Sequence, residues 1–233
     1  MTTTYQQPSG GVAYLSWISS ASTRLALYPG TTEPPVGGGR TGVVPTRLRG
    51  RLLATFNGGF RHAAAPGGFI AQGVDFAPLE PGLATVWSTW THHLNISRWA
   101  GGADPRALEV ARQDLSLLVS AGRPAPQASD PGLWGATLGG GTAVWRTALG
   151  VDAHHNLIYV AADDTPLALA QTLVHAGAVR ALELDINPEW PTFNVYGGRG
   201  GAAPTMFVPN PQESPDRYLV PDSRDFFAVY AMP

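Results

Sequence analysis

Two residue types are absent from the sequence, and each absence excludes a kind of chemistry. There is no cysteine, so disulfide bonds, thiolate nucleophiles and cysteine-ligated zinc are excluded. There is no lysine either, and all 15 basic residues are arginine. This excludes a Schiff-base lysine, a lysine general base and the lysine of a phosphate-binding P-loop.

Charge is scarce as well. Only 14% of the residues are charged, and the formal net charge is −2, so the sequence does not predict a basic surface that would bind nucleic acid. No run of basic residues is available to bind an anionic membrane. Residues 1–7 are polar and no apolar run is long enough to cross a bilayer, so we expect neither a signal peptide nor a membrane span in this chain.

Glycine, proline and apolar residues are plentiful and evenly spread. The 233 residues include 28 glycines and 21 prolines, and 44% are hydrophobic, which is typical of a strand-rich globular fold with many turns. We predict a flexible lead-in over residues 1–11 and a single domain over residues 12–233.

One segment has the pattern of a βαβ unit. Residues 156–162 predict a strand, a helix capped by Thr165 or Asp164 follows, and a second strand starts at Val179. A right-handed crossover would make the two strands parallel. It would place Asp185 at the carboxyl end of a strand, where open α/β sheets have their sites.

This second strand carries two carboxylates. Glu183 and Asp185 are two residues apart, so on an extended strand they share a face at roughly 6.5–7 Å. That spacing suits an acid/base pair, because paired carboxylates in glycosidases lie about 5–9.5 Å apart. Alternatively, one of them is a structural carboxylate that binds an arginine or caps backbone amides.

Two further polar residues stand out against apolar surroundings. Asn57 follows a predicted strand and precedes two glycines, so it forms either an Asx-turn or part of a site. Arg146 lies within an apolar strand, where a cation needs a carboxylate or a bound anion. It either bridges to an acid such as Asp185 or binds a substrate oxyanion. His92 and His93 are interpreted as turn residues, and no metal site is predicted.

Four stretches together resemble the phosphodiester glycosidase family, in the order in which they occur along the chain: Phe56-Asn57-Gly58-Gly59-Phe60, residues 112–119 (RQDLSLLV), residues 145–150 (WRTALG) and residues 181–190 (ALELDINPEW). The form ELDINPEW is similar to an actinobacterial branch of exported proteins. Where the wider family reads Leu-Asp-Gly-Gly-Gly-Ser, this chain keeps the aspartate and substitutes Ile186-Asn187-Pro188, which remodels the glycine-lined approach to the substrate.

The resemblance implies an α+β fold, with a mixed β-sheet, a few flanking helices and the βαβ unit in the C-terminal half. It implies Arg146 as the group that binds phosphodiester oxygens and Asp185 or Glu183 as the catalytic carboxylate. Substrate would be bound by residues of the glycine turn and of the ELDINPEW stretch: Asn57, Gly58, Gly59, Asn187 and Trp190. Trp190, with Trp134, forms either a stacking wall or part of the core. No cofactor is implied.

The sequence therefore predicts a hydrolase that cleaves a glycosidic bond, such as that of a sugar-1-phosphodiester, in an extracellular or cell-envelope glycan. One alternative is a hydrolase of non-phosphorylated polysaccharide, and another is a non-catalytic carbohydrate-binding module. A binding module need not keep an arginine and two acids together with Asn57, so convergence of all four side chains would favour an enzyme. The oligomeric state is not predicted.

Overall fold

Strands form nearly all of the regular structure. The structure is a computed structural model that describes residues 1–8, 10–35, 40–102, 104–137, 140–197 and 203–232. In chain order, its strands are Thr2–Gln6 (β1), Val12–Ile18 (β2), Thr23–Tyr28 (β3), Leu52–Asn57 (β4), Phe69–Ala71 (β5), Val74–Ala77 (β6), Ala84–Thr89 (β7), Leu94–Arg98 (β8), Leu108–Asp114 (β9), Leu117–Ser120 (β10), Arg123–Pro124 (β11), Val144–Val151 (β12), Leu157–Asp164 (β13), Arg180–Glu183 (β14), Phe193–Tyr196 (β15), Pro204–Met206 (β16) and Phe226–Ala231 (β17).

Helical structure is sparse in the described part of the chain. It contains one α-helix, Pro166–His175 (α1). Short 3-10 helices lie in the connections, at Thr46–Arg51, Pro105–Ala107, Pro126–Ser129, Pro131–Leu133 and Arg217–Leu219.

The strands make three sheets. The first has seven strands in the order β1-β2-β13-β12-β14-β10-β11, the second has the order β16-β15-β4-β17-β3, and the third has the order β6-β5-β9-β7-β8. Every strand pair is antiparallel. The predicted α+β class with a mixed sheet and several flanking helices is therefore wrong, and the fold is mostly β.

The predicted βαβ unit shows why the class was wrong. Helix α1 does connect β13 to β14, but β12 lies between these two strands and pairs antiparallel with both. The two strands therefore run in the same direction without pairing. A hairpin partner that comes earlier in the chain is inserted between them, which the local pattern of the segment does not reveal.

A common core joins the three sheets. Large apolar side chains from each sheet meet there, including Leu27, Phe56, Val86, Tyr159 and Leu182, all of which are buried. Burying each such side chain contributes about 1.5–3 kcal/mol, so this shared core holds the sheets together. The alternation of strand side chains leaves the outer face of the first sheet to α1, whose Leu169 and Leu173 pack there.

The N-terminal residues extend the first sheet. Strand β1, which lies within the segment predicted as a flexible lead-in, pairs with β2 in register from Thr2 opposite Ser16 to Gln6 opposite Val12. The side chain of Gln7 is buried and donates to Asp164 Oδ2 at 2.5 Å. The single domain over residues 12–233 stays a prediction.

Candidate active site

A cleft of about 460 Å³ opens where chain segments from different sheets meet. One wall is apolar, with Phe60, Leu115 and Val144. Most of the polar groups come from the segment after β14 and the segment before β17. The polar and aromatic residues that line the cleft are Arg61, Thr137, Asp185, Asn187, Trp190 and Arg224.

Asp185 is the carboxylate that faces this cleft. Its Oδ2 atom accepts a hydrogen bond from Arg224 Nη2 at 2.7 Å, and its Oδ1 atom accepts one from the backbone N–H of Asn187 at 2.9 Å. Burial raises the pKa of Asp185, while the charge of Arg224 and the Asn187 N–H oppose that rise. The geometry holds the carboxylate in one orientation at the cleft surface.

Arg224 is a site residue that sequence reasoning missed. Its Nη2 atom serves both Asp185 and the carbonyl oxygen of Gly59, at 2.7 and 2.9 Å, and Nε is without a partner in the described part of the chain. The guanidinium lies 5.1 Å from the ring centre of Trp190. The sequence signal was available, because Asp222 to Asp225 is a run of charged and polar residues directly before a strand.

Trp190 and Asn187, both predicted as substrate-binding residues, do line the cleft. The Trp190 ring is also 4.8 Å from the guanidinium of Arg217, which is buried behind it. Asn187 uses Oδ1 to accept the backbone N–H of Glu189 at 3.0 Å, which fixes the turn after Asp185. Trp134, by contrast, is a core residue, buried against the outer face of the first sheet.

Arg146 and Glu183 lie elsewhere. They form a fully buried ion pair with 2.8 Å between Nη1 and Oε1, and neither residue lines the cleft. The other guanidinium hydrogen bonds go to backbone carbonyls, those of Trp134, Thr142 and Asp164. The expected bridge from Arg146 to Asp185 is therefore wrong.

The two carboxylates differ in their surroundings although the backbone pairing with β12 continues past Glu183, where the carbonyl oxygen of Asp185 accepts the N–H of Thr147 at 3.2 Å. Glu183 is fully buried against Arg146, whereas Asp185 lies at the cleft. Burial raises the pKa of Glu183, and the Arg146 guanidinium opposes that rise.

Asn57 is also occupied by the fold. Its Nδ2 donates to the carbonyl oxygen of Gly58 and to Thr147 Oγ1, at 2.9 and 2.8 Å. Its Oδ1 accepts from Tyr159 Oη at 3.0 Å and from the backbone N–H of Thr192 at 3.3 Å. Both amide donors and the acceptor are satisfied, so this side chain ties three segments together rather than facing the cleft.

The two glycines after Asn57 make room for buried carboxylates. A Cβ atom on Gly58 would overlap the carboxylate of Asp225, and one on Gly59 would overlap that of Asp114. These glycines do not line the cleft. In this structure they allow the backbone to lie close to the carboxylates of Asp225 and Asp114, because glycine has no Cβ atom. The four side chains of Asn57, Arg146, Glu183 and Asp185 accordingly do not converge on one cavity.

A buried charge cluster lies next to Asp185 and was also missed. Arg112 Nε donates to Asp225 Oδ2 at 3.0 Å, and Arg112 Nη1 lies 3.5 Å from Asp114 Oδ1. The cluster braces the cleft wall, since Arg112 donates to the carbonyl oxygen of Phe60 at 2.5 Å and Asp114 accepts the N–H of Phe60 at 3.2 Å. The alternating charges of residues 112 and 114 within an apolar strand were the available signal.

Carboxylates outnumber cations in this region. In the part of the chain that the structure describes, the ion pairs of Asp114, Asp185 and Asp225 are made with two arginines, Arg112 and Arg224. Burial, together with the charges of Asp225 and Asp185, raises the pKa of Asp114 to about 7, against the lowering by Arg112. Asp114 is therefore partly protonated near neutral pH, and its Oδ2 is buried without a partner in the described structure.

Comparisons with known proteins establish a likeness of fold. No family model matches the chain, and no curated protein matches it by sequence. The catalytic domain of zebrafish N-acetylglucosamine-1-phosphodiester alpha-N-acetylglucosaminidase, solved in a form auto-inhibited by its pro-peptide, superposes with a TM-score of 0.63. The identity is 14%, over 100% of this chain and 82% of that chain.

A second solved structure, a hypothetical protein from Synechocystis, matches with a TM-score of 0.52 and 14% identity, over 100% of this chain and 64% of that chain. At this identity the matches show a shared fold only, so membership of the phosphodiester glycosidase family stays a prediction. Within the described residues no helix is long and apolar enough to cross a membrane, and no group of three or more His, Asp or Glu side chains has an arrangement that could hold a metal ion.

Proposed function

We propose that this chain is a hydrolase that cleaves the glycosidic bond of a sugar-1-phosphodiester in an extracellular or cell-envelope glycan. The observation that carries the proposal is the Asp185–Arg224 pair, a carboxylate and a guanidinium 2.7 Å apart on the surface of the cleft. Trp190 lines the cleft beside this pair, with the Arg224 guanidinium 5.1 Å from its ring centre. The fold of the zebrafish glycosidase catalytic domain supports the same reaction class.

The number of carboxylates argues for a phosphate leaving group. Among the described residues that line the cleft, Asp185 is the one carboxyl group. Hydrolysis of an ordinary glycoside releases an alcohol, which needs a second carboxyl group as general acid. A phosphate ester leaves as a stable anion without a proton, so a single carboxylate is sufficient. This observation favours the sugar phosphodiester over the non-phosphorylated polysaccharide.

The charges of the cleft are consistent with such a substrate. Arg61 and Arg224 line it, and Arg224 engages Asp185 through one nitrogen only. The Nη1 atom of Arg224 makes no hydrogen bond to a described residue, so it can bind a phosphate oxygen. The role first assigned to Arg146 therefore passes to Arg224.

The reaction follows from these positions. Asp185 accepts a proton from a water molecule as the water oxygen attacks the anomeric carbon. The bond from that carbon to the phosphate oxygen breaks, and its electron pair stays on the phosphate. The products are the free sugar and a phosphate monoester, whose developing charge Arg224 stabilises.

The test is a comparison of matched substrates. Sugar-1-phosphate methyl esters and the methyl glycosides of the same sugars are incubated with the protein, and the release of free sugar is measured. We expect hydrolysis of at least one phosphodiester, and at least about 100-fold slower hydrolysis of its methyl glycoside, since a missing general acid costs about 10²–10⁴ in rate. Asp185→Asn should lower kcat by a similar factor.

The control is Asp163→Asn, the same change at an exposed aspartate of β13, which should leave kcat unchanged. A thermal melt verifies folding of each variant. Equal rates on the methyl glycosides would instead support a polysaccharide hydrolase. Sugar binding without turnover on any substrate would support a binding module.

A further inference from the structure

Two connected cavities lie apart from the cleft, with volumes of about 650 and 190 Å³. They share Tyr28, Arg47 and Gln72 in their walls. We call them together the arginine groove. It runs between the end of β3, the β5–β6 hairpin and the 3-10 helix Thr46–Arg51.

The charge of the arginine groove is opposite to that of the whole chain. Among the described residues, two acidic side chains line it, Asp75 and Glu109. The cations that line it are four arginines: Arg24, Arg40, Arg47 and Arg51. The local balance is thus four positive against two negative charges, while the chain as a whole has a net charge of −2. Such a local excess concentrates anions.

Most of these arginines are not neutralised by an acidic side chain. Arg24 forms an ion pair with the buried carboxylate of Glu109. Arg51 donates instead to the carbonyl oxygen of Ala231, at 3.0 Å from Nε and 2.5 Å from Nη2. Arg40 likewise donates to backbone carbonyls, those of Pro34 and Thr31.

Backbone carbonyls orient a guanidinium but do not neutralise it. The side chain of Arg47 makes neither a hydrogen bond nor an ion pair to any residue that the structure describes. The charges of Arg40, Arg47 and Arg51 are therefore not neutralised by an ion pair and are available to a ligand. Arg40 and Arg51 are already oriented by backbone carbonyls, which lowers the entropy lost on binding.

We propose that the arginine groove binds a phosphodiester-linked polymer and lies on the same path as the cleft. Gly42, in the wall of the groove, accepts the backbone N–H of Asp222 at 2.9 Å, and Arg224, two residues further on, lines the cleft. A chain with repeated phosphates could thus contact both. The proposal rests on the proposed function for the nature of the polymer, and on the charges of the groove for its location.

The test measures binding separately from turnover. A short fluorescent poly(glycerol phosphate) chain, which has repeated phosphodiesters but no glycosidic bond to hydrolyse, is titrated with Asp185→Asn protein, and fluorescence anisotropy is recorded. Added to that protein, Arg47→Gln should weaken binding up to about fivefold, since an exposed charge pair contributes up to ~1 kcal/mol. The triple change of Arg40, Arg47 and Arg51 to Gln should weaken binding on the order of 100-fold if the three effects add.

The matched control is Arg123→Gln, an exposed arginine on β11 at the edge of the first sheet, which should not change the affinity. In the wild-type background, Arg47→Gln should hydrolyse a monomeric sugar-1-phosphate methyl ester at the wild-type rate. Loss of polymer binding in the triple variant would support the groove even if no substrate were hydrolysed.

Two results would overturn the proposal. The triple variant could bind poly(glycerol phosphate) as tightly as Arg123→Gln does. Alternatively, dextran sulfate or single-stranded DNA could displace the probe at the same concentration of charges as unlabelled poly(glycerol phosphate), which would mean an unselective basic surface.

Discussion

At the scale of single residues, the side chains that can act on a substrate are those with unused hydrogen-bonding capacity. Arg146 and Asn57 have partners within the fold for their polar groups, whereas Nη1 of Arg224 makes no hydrogen bond to a described residue. A saturated buried group stabilises the fold, and removing it leaves a partner unpaired. We therefore assign the proposed catalysis to Asp185 and Arg224.

This pair makes the activity depend on pH in a defined way. Asp185 must be ionised to accept a proton, so kcat/KM should rise with pH through its pKa, which burial raises and Arg224 lowers. Arg224→Gln removes the lowering charge, so the pKa should increase further and the acidic limb of the kcat/KM profile should move to higher pH.

Arg224→Lys is the control, because it keeps the charge and should leave the limb close to its wild-type position. The profiles are measured on the phosphodiester that the substrate panel identifies. A limb that stays in place or moves to lower pH in Arg224→Gln would contradict the pairing of Arg224 with Asp185 in the active protein.

The sequence predicted part of this site, and the reason for the division is physical. Asp185, Asn187 and Trp190 were predicted because they lie together in one segment after a strand. Arg224 comes from a segment 39 residues further along the chain, and nothing local in either segment reveals their contact. Arg146 was predicted to need a carboxylate, such as that of Asp185, or a bound anion, and in the structure it pairs with Glu183.

At the scale of elements, capping and turn residues correctly predicted the helix whose ends depend on neighbouring residues. Helix α1 begins after Thr165, whose side chain accepts the backbone N–H of Ala168 at 3.2 Å, as the sequence predicted. Gly177 follows its end with a φ of +99°. Glu183 and Asp185 were predicted to form one acid/base pair, but Glu183 is buried against Arg146 and only Asp185 of the two lines the cleft.

Removing the cap should affect stability but not activity. Thr165→Ala should lower the free energy of unfolding by about 0.5–2 kcal/mol, because the N–H of Ala168 loses its partner. Thr165→Ser keeps the hydroxyl group and should stay close to wild type. Urea unfolding of the three proteins checks the change. A loss of kcat without a loss of stability would mean that this segment belongs to the site.

At the scale of the whole molecule, strand pairing is the feature that the sequence did not predict. In the second sheet, β4 lies between β15 and β17, strands more than a hundred residues further along the chain. Alternating apolar residues predict that a strand has one buried face, but they do not specify its neighbour. The sequence indicated a strand-rich fold, and its arrangement as three antiparallel sheets depends on these long-range pairs.

The excess of buried carboxylates should make the folded protein more stable in mild acid. Asp114 has a pKa of about 7 in the folded state and an ordinary value of 3.8, so the folded state holds a proton that the unfolded state releases. Stability from this group is present below the ordinary pKa and is lost as pH rises through 7, at about 1.4 kcal/mol per pH unit for one proton.

We therefore expect the free energy of unfolding to decrease between pH 5 and pH 8, by less in Asp114→Asn than in the wild type. Urea unfolding at both pH values provides the measurement, and Asp163→Asn is the control for a lost charge elsewhere. The same decrease in Asp114→Asn as in the wild type would rule out Asp114 as the carrier of the proton.

The central claim is that water attacks the anomeric carbon of a sugar phosphodiester in the Asp185 cleft. Hydrolysis in oxygen-18 water tests it most directly, because the label marks the atom that was attacked. We predict that mass spectrometry will find the label in the released sugar and none in the phosphate monoester, with both products lost in Asp185→Asn. Label in the phosphate would mean cleavage at phosphorus and would contradict the account.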